Sequence, residues 1–213
     1  DIGLVKRYRA HPKISKFSIY YLSAKGLEFI QMKLNIWEGI REEGWITNQD
    51  YLKLGYFKYD TYKPPFKQMT HHLFVVDTLI TCYVNDICHR NNLYASRLSD
   101  NILLRPDAEM KINSKHYLIE IDNGTENHQQ LIEKFNRYFH YVASTRDNKD
   151  IDVIVFIIDT KHSEQLNRRW ISILAAFHIA MRRIYNLVKL VLITKEEFPS
   201  YIDLEKNRPS LIG

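Results

Sequence analysis

A mixed sheet flanked by helices, an α/β (α+β) arrangement, is the fold class the sequence predicts for residues 66–213, behind a smaller basic module at residues 1–65. Three observations predict it. Helix-length and strand-length apolar segments alternate from Gln68 onward. Two strand segments, ILLRPDAEMKI and HYLIEID, meet at a turn over Asn113-Ser114 and form a hairpin. A hairpin that feeds alternating helices and strands gives a mixed sheet with helices on its faces. The Pro64-Pro65 pair marks the junction, because each proline removes a donor and disfavours helix before it.

In chain order, residues 4–8 (LVKRY) read as a strand and AHPKISK as a loop. FSIYYL, β-branched and aromatic, reads as a second strand. Ser23 is placed to N-cap a helix whose face holds Leu27, Ile30 and Leu34. Strand, basic loop, strand and helix outline part of a winged-helix module: the wing and the helix behind it. Lys6, Arg7, Arg9, Lys13 and Lys16, with Tyr8, put cations where a wing meets DNA phosphates. A solvated hairpin tip is the plainer reading of the same residues. The recognition helix of such a module would precede Asp1, and a chain that starts without Met reads as a fragment or a processed product.

THHLFVVDTLITCYVNDICHR reads as one long helix, with Leu73, Val76, Leu79, Ile80, Tyr83, Val84 and Ile87 on its inner face. NNLYASRLSDN reads as a short extended piece and a turn, before the hairpin. Residues 127–144 are amphipathic, with Leu131, Phe135, Tyr138, Phe139 and Val142 inward. IDVIVFIID is apolar enough for a strand buried on both faces. A second long helix (SEQLNRRWISILAAFHIAMRRI) and a last buried strand (187–194) follow, and the pattern fades after Phe198.

The composition is globular: 45% of residues are hydrophobic and only 13 are Gly or Pro. No run of 18 apolar residues reads as a membrane span, and no signal peptide is visible. Cys82 and Cys88 fall in a segment that reads as helix and point apart, as two thiols in a reducing, cytoplasmic compartment would. Charge is uneven. Residues 1–69 hold 12 Lys/Arg against 7 Asp/Glu, whereas residues 70–213 hold 18 against 18. The whole excess of +5 therefore sits in the first third, which suits contact with phosphates. There is no CxxC, HExxH, glycine-rich phosphate loop or nucleophile elbow.

Chemistry is concentrated in Asp107, Glu120, Asp122 and Lys134. Asp107 follows Pro106, a kink that belongs at a strand edge or bulge. Glu120 and Asp122 are two apart on a strand and share a face, leaving Ile119 and Ile121 to pack on the core from the other. If Asp107 meets Glu120 across the hairpin, three carboxylates converge. Like charges so close raise one another's pKa, and a divalent cation such as Mg²⁺ relieves this. Lys134, on the next helix, could stabilise charge or orient a nucleophile there. Each residue also has a plainer reading: Asp107 and Asp122 as turn acceptors, Glu120 and Lys134 as surface residues. His71 or His72 could flank the patch. Arg168, Arg169, Arg182 and Arg183 read either as the rim of a DNA channel or as a solvated helix face.

The pattern Pro106-Asp107 followed by Glu120-Ile121-Asp122 resembles the PD-(D/E)xK nuclease superfamily. More narrowly, YYLSAKG, HHLFVVDTL, RPDA, YLIEIDNGTE and LIEKFNRY resemble the plasmid replication-relaxation family over nearly the whole chain. The resemblance implies a partial winged helix, then a restriction-endonuclease-like domain, in a protein of plasmid replication control or mobilisation. It implies double-stranded DNA as the partner, with plasmid replication or mobilisation proteins and a homodimer as further candidates. Carried over, Asp107 and Glu120 would be the metal ligands for Mg²⁺. Asp122 stands where the superfamily has Lys, and Lys134 on the following helix would be its substitute. Two readings share this ground: a Mg²⁺-dependent DNA endonuclease, and a non-catalytic DNA-binding accessory or copy-control factor on a nuclease scaffold. The zero net charge of residues 70–213 motivates a third, a protein-interaction module.

Overall fold

In the computed structural model, the structure describes residues 5–8, 19–22, 25–26, 68–95, 97–99, 102–145, 151–159, 163–183 and 186–208. The chain forms two compact units, Asp1–Thr70 and His71–Gly213. In the first, β1 (Val5–Tyr8) pairs antiparallel with β2 (Ile19–Leu22), Val5 opposite Leu22. These are the two strands expected of the basic hairpin. The backbones of Lys6 and Arg7 belong to β1. Arg9, Lys13 and Lys16, and the expected helix face of Leu27, Ile30 and Leu34, lie outside the described residues.

The second unit is built on a five-stranded mixed sheet. Its strands are β3 (Cys88–Asn91), β6 (Ala108–Ile112), β7 (Lys115–Asp122), β8 (Val153–Ile158) and β9 (Lys189–Thr194), side by side in that order. β3, β6 and β7 are antiparallel neighbours, and β7, β8 and β9 run parallel. The β6–β7 hairpin turns at Asn113 and Ser114, with φ of 49° and 65°. Both turn residues are thus left-handed, as a two-residue hairpin on twisted strands requires. A separate small ribbon pairs β4 (Arg97–Ser99) with β5 (Ile102–Leu104). The expected single strand ILLRPDAEMKI is therefore two strands, interrupted at Arg105–Asp107 where Pro106 cannot donate to a ladder.

The faces of the sheet are both covered. On one, α3 (His128–Ser144) and α4 (Ser163–Met181) pack Leu131, Phe135, Tyr138, Ile173 and Phe177 against Leu118, Ile154, Phe156 and Ile158. On the other, α1 (Met69–Val84) and α5 (Phe198–Lys206) set Phe74, Cys82, Phe198 and Ile202 against Ile119, Ile121, Val155 and Ile157. A short α2 (Asn92–Ala95) follows β3. The face that carries Glu120 and Asp122 is thus a core face as well, and not the open one the alternation implied. Among the described residues, no helix is long and apolar enough to cross a membrane.

Three local expectations are corrected. The pattern does not fade at Phe198: α5 follows, with Pro199 in its first turn and Phe198 and Ile202 in the core. Cys88 is not helical, because α1 ends at Val84 and Asp86 turns the chain at φ 55° into β3. Of the expected face, Ile87 is buried and Leu79 packs against the core, but Leu73, Val76, Ile80, Tyr83 and Val84 are exposed, and Phe74, Thr78 and Cys82 of α1 are buried. Thr78 is tolerated inside because its hydroxyl donates to the Phe74 carbonyl at 2.9 Å. Counting hydrophobicity alone selects the wrong stripe.

One buried ionic network fixes the edge of the sheet. Glu109, 1% exposed, accepts from Arg90, from Arg97 at 2.7 Å and lies 3.0 Å from His116 Nδ1. Burial alone would raise its pKa, but Arg97, His116 and Arg90 together hold it below the ordinary carboxylate value. A depressed folded pKa gives stability that is full above the unfolded value of 4.5 and is lost as pH falls through the folded one. Glu109→Ala strands two arginines and is expected to cost about 3–5 kcal/mol at pH 7, read from urea unfolding. That difference should narrow progressively below pH 4.5, as the wild type loses the same contribution.

Candidate functional site

The site grows from where the β6–β7 ladder stops. Ala108 opposes Ile119, so Asp107 falls in line with Glu120 at the same end of the sheet. Asp107 N donates to the Ile119 carbonyl at 3.0 Å, and its Oδ2 accepts from Ile121 N at 2.8 Å. Its carboxylate thereby accepts the Ile121 N–H where the β6 ladder has stopped. Asp107 Oδ1 lies 2.9 Å from His71 Nε2 on α1. That hydrogen bond holds the His71 pKa above its ordinary value, against burial.

Glu120 is 3% exposed and points into the face under α3. Lys134 Nζ donates to its Oε2 at 2.9 Å, and the Tyr138 hydroxyl donates to its Oε1 at 2.5 Å. Burial pushes the Glu120 carboxyl up to about 7, with the Asp107 charge adding to the rise and Lys134 and Tyr138 opposing it. Burial works against the Lys134 charge, but Glu120 and Glu126, the latter at 3.0 Å, keep its pKa above the ordinary lysine value. Tyr138 is raised well above its ordinary value, first by burial and then by Glu120. Lys134 remains an ammonium shared by two carboxylates.

The helix delivers both donors by its period. Leu131, Lys134, Phe135 and Tyr138 make one inward stripe, and a capping box between Asn127 and Gln130 fixes where the helix begins. The sequence assigned Tyr138 to the core without its hydroxyl's role, and Glu126 went unremarked. Tyr138 had a signal: a tyrosine four residues after a lysine on an inward face brings a hydroxyl that needs a partner.

Asp122 goes elsewhere. Arg169 on α4 grips it with two parallel bonds, Nε to Oδ2 at 2.6 Å and Nη2 to Oδ1 at 2.7 Å, and also donates to the Glu126 carbonyl at 2.5 Å. Asp122 Oδ1 accepts from Gly124 N as well, so it shapes the turn. The structure brings Asp107, Glu120 and Lys134 into one cluster with His71, Tyr138 and Glu126, and leaves Asp122 outside it. The expected trio of Asp107, Glu120 and Asp122 is not what forms, because the Arg169 guanidinium captures Asp122. Among the described residues, no group of three or more His, Cys, Asp or Glu is arranged to hold a metal ion. Of the four arginines read from α4 and its end, Arg168, Arg182 and Arg183 are exposed and Arg169 is not. Arg169 sits four residues before the buried Ile173, on the inward stripe of α4.

A family model described as replication-relaxation matches residues 2–156. The chain belongs to the replication-relaxation family. The match covers Asp107, Glu120, Asp122, Lys134 and Tyr138 and ends within β8, before Arg169. Searches of curated proteins and of solved structures returned no match. Membership in the replication-relaxation family points to a role in plasmid replication or mobilisation.

The Glu120–Lys134 pair lends itself to a double-mutant cycle. Lys134→Met removes the charge that opposes the rise of the Glu120 pKa, so the carboxyl takes up a proton near neutral pH, and the lost hydrogen bond and ion pair are expected to destabilise the fold by about 1–3 kcal/mol in urea unfolding. Adding Glu120→Gln, which can still accept from Tyr138, should recover most of that loss. Equal, additive losses from the two substitutions would show the pair to be uncoupled.

Proposed function

We propose that this member of the replication-relaxation family binds double-stranded DNA and that its second unit is a nuclease-like core acting on a phosphodiester. The observation that carries the reading is the clamp on Glu120. A strand carboxylate is held by a lysine from the next helix, beside an aspartate at the kinked start of the neighbouring strand. The basic strand with Lys6 and Arg7, together with Arg9, Lys13 and Lys16, supports a DNA-contacting wing in a winged-helix module.

Mg²⁺ suits this donor set in one form only. It needs one or two protein carboxylates, completed by waters and phosphate oxygens. Asp107 and Glu120 are two such hard oxygen donors, and they do not amount to a dedicated protein cage. Bound there, the ion would polarise the phosphodiester and acidify an attacking water. The chain's own residues do the rest. His71 and Ile121 N orient Asp107, and Tyr138 fixes Glu120. Lys134 keeps a positive charge where negative charge develops on the phosphate.

A second reading, a non-catalytic DNA-binding accessory factor, is favoured by one observation: both Glu120 oxygens are satisfied by the chain itself, and Asp122 is locked to Arg169. Incubation of supercoiled plasmid with Mg²⁺ or Mn²⁺ separates the two. The first reading expects metal-dependent nicking, lost with Glu120→Ala and slowed about 100-fold or more by Lys134→Met. Salt-sensitive duplex binding that survives Glu120→Ala, without any nicking, would leave the second standing.

A further inference from the structure

Beyond the Asp122–Arg169 clamp lies a cavity of about 450 Å³ at the carboxyl ends of the parallel strands β7 and β8. The volume is that of a small-molecule site. Ile158 and Gly124 line it, and Asp159, Gln165, Arg168 and Ser172 bring polar groups to it. Asp159, Gln165, Arg168 and Ser172 all lie beyond the stretch that the family match covers.

The chemistry of those groups is selective. The Asp159 carboxylate makes no hydrogen bond or ion pair within the described residues; only its backbone N is used, donating to the Asp122 carbonyl at 3.2 Å. Among the described residues, Arg168 is tied only to Glu164, in an i,i+4 pair where both side chains are 78% exposed. Such a pair holds its members weakly, so the guanidinium is available. The Asn123 amide oxygen on the same wall is buried without a partner. Gly124 stands at φ +70°, and a Cβ there would meet nothing within 4 Å, so the wall is open above it. A free carboxylate accepts two parallel N–H donors, and a free guanidinium donates to two acceptors. Among the four DNA bases, only guanine carries adjacent N1–H and N2–H donors on one edge and the O6/N7 acceptor pair that arginine reads on another.

We propose that this cavity seats an unpaired guanine of a DNA strand, with Asp159 accepting from N1–H and N2–H and Arg168 donating to O6 or N7. The inference rests on the DNA-binding reading for the source of the nucleotide, and not on cleavage. The Arg169 bridge from Asp122 to Glu126, which in turn meets Lys134, puts the 123–127 turn between the cavity and the Glu120 cluster. A base held there would anchor its strand next to that cluster.

Calorimetric titration of the full chain with dGMP, dAMP, dCMP and TMP tests the idea. The expected result is saturable dGMP binding, with the other three weaker by about tenfold or more. Asp159→Asn, which offers one acceptor in place of two, should erase the preference. Arg168→Ala, at an exposed position that leaves folding intact, should weaken dGMP by about tenfold. A short duplex with one unpaired G should displace dGMP, and the same duplex with an unpaired T should not. Equal binding of the four nucleotides, no dGMP binding, or dGMP binding unaltered in both cavity variants would overturn the proposal, as would failure of the unpaired-G duplex to compete. If plasmid stays uncut while that duplex still competes, the nuclease reading falls and the guanine site stands.

Discussion

The carboxylate of Glu120, 3% exposed on a covered face of the sheet, can sit there only because Lys134 and Tyr138 each give it a hydrogen bond. Removing a carboxylate from water is expensive unless it is paired and hydrogen-bonded. That requirement reaches outward through the second unit. Lys134 and Tyr138 must fall on one stripe of α3, so the start of the helix must be fixed, and the Asn127–Gln130 capping box fixes it. The stripe must lie over β7, and Leu131, Phe135 and Tyr138, packed on Leu118 and Phe156, hold it there. Lys134 needs a second anion to share its charge, and Glu126 in the turn before the helix supplies one.

The same face holds two further buried carboxylates, each neutralised by arginine. Glu109 has Arg90 and Arg97, and Asp122 has Arg169. The three differ in what they leave over. Guanidinium pairs are planar, bidentate and permanently charged, and they close their sites. Lysine offers a point charge on a flexible stem, which can swing from one oxygen to another. Among the described residues, the Glu120 cluster alone therefore combines a strand carboxylate and the Asp107 carboxylate beside the neighbouring strand with a cation able to change partners, next to a half-buried histidine. This asymmetry, more than the acidity of the face, singles the cluster out.

Much of this was legible in the residues, and the failures have physical causes. Alternation along YLIEID put Glu120 and Asp122 on one face, and Pro106 marked the kink at Asp107. Lys134 was legible because helical period places it three residues from Leu131. The clamp on Asp122 was not legible because its partner, Arg169, is 47 residues away, and only tertiary packing reveals a long-range bidentate pair. Period also misled on α1, where Thr78 and Cys82 are buried in place of larger apolar residues. The α5 helix escaped notice because its core residues, Phe198, Tyr201 and Ile202, are joined by the buried Glu205 within a short segment rich in polar residues. Arg168 and Arg169 are adjacent in sequence and opposite in role, a difference fixed by which one points at the sheet.

Diffraction from crystals soaked in Mn²⁺, with the anomalous signal locating the ion, tests the central claim most directly. The account predicts a peak bonded to Asp107 and Glu120, with the Lys134 ammonium moved off the oxygen it now holds, and no peak in Glu120→Ala crystals. An intact Lys134–Glu120 pair with no peak beside it at saturating Mn²⁺ would contradict it.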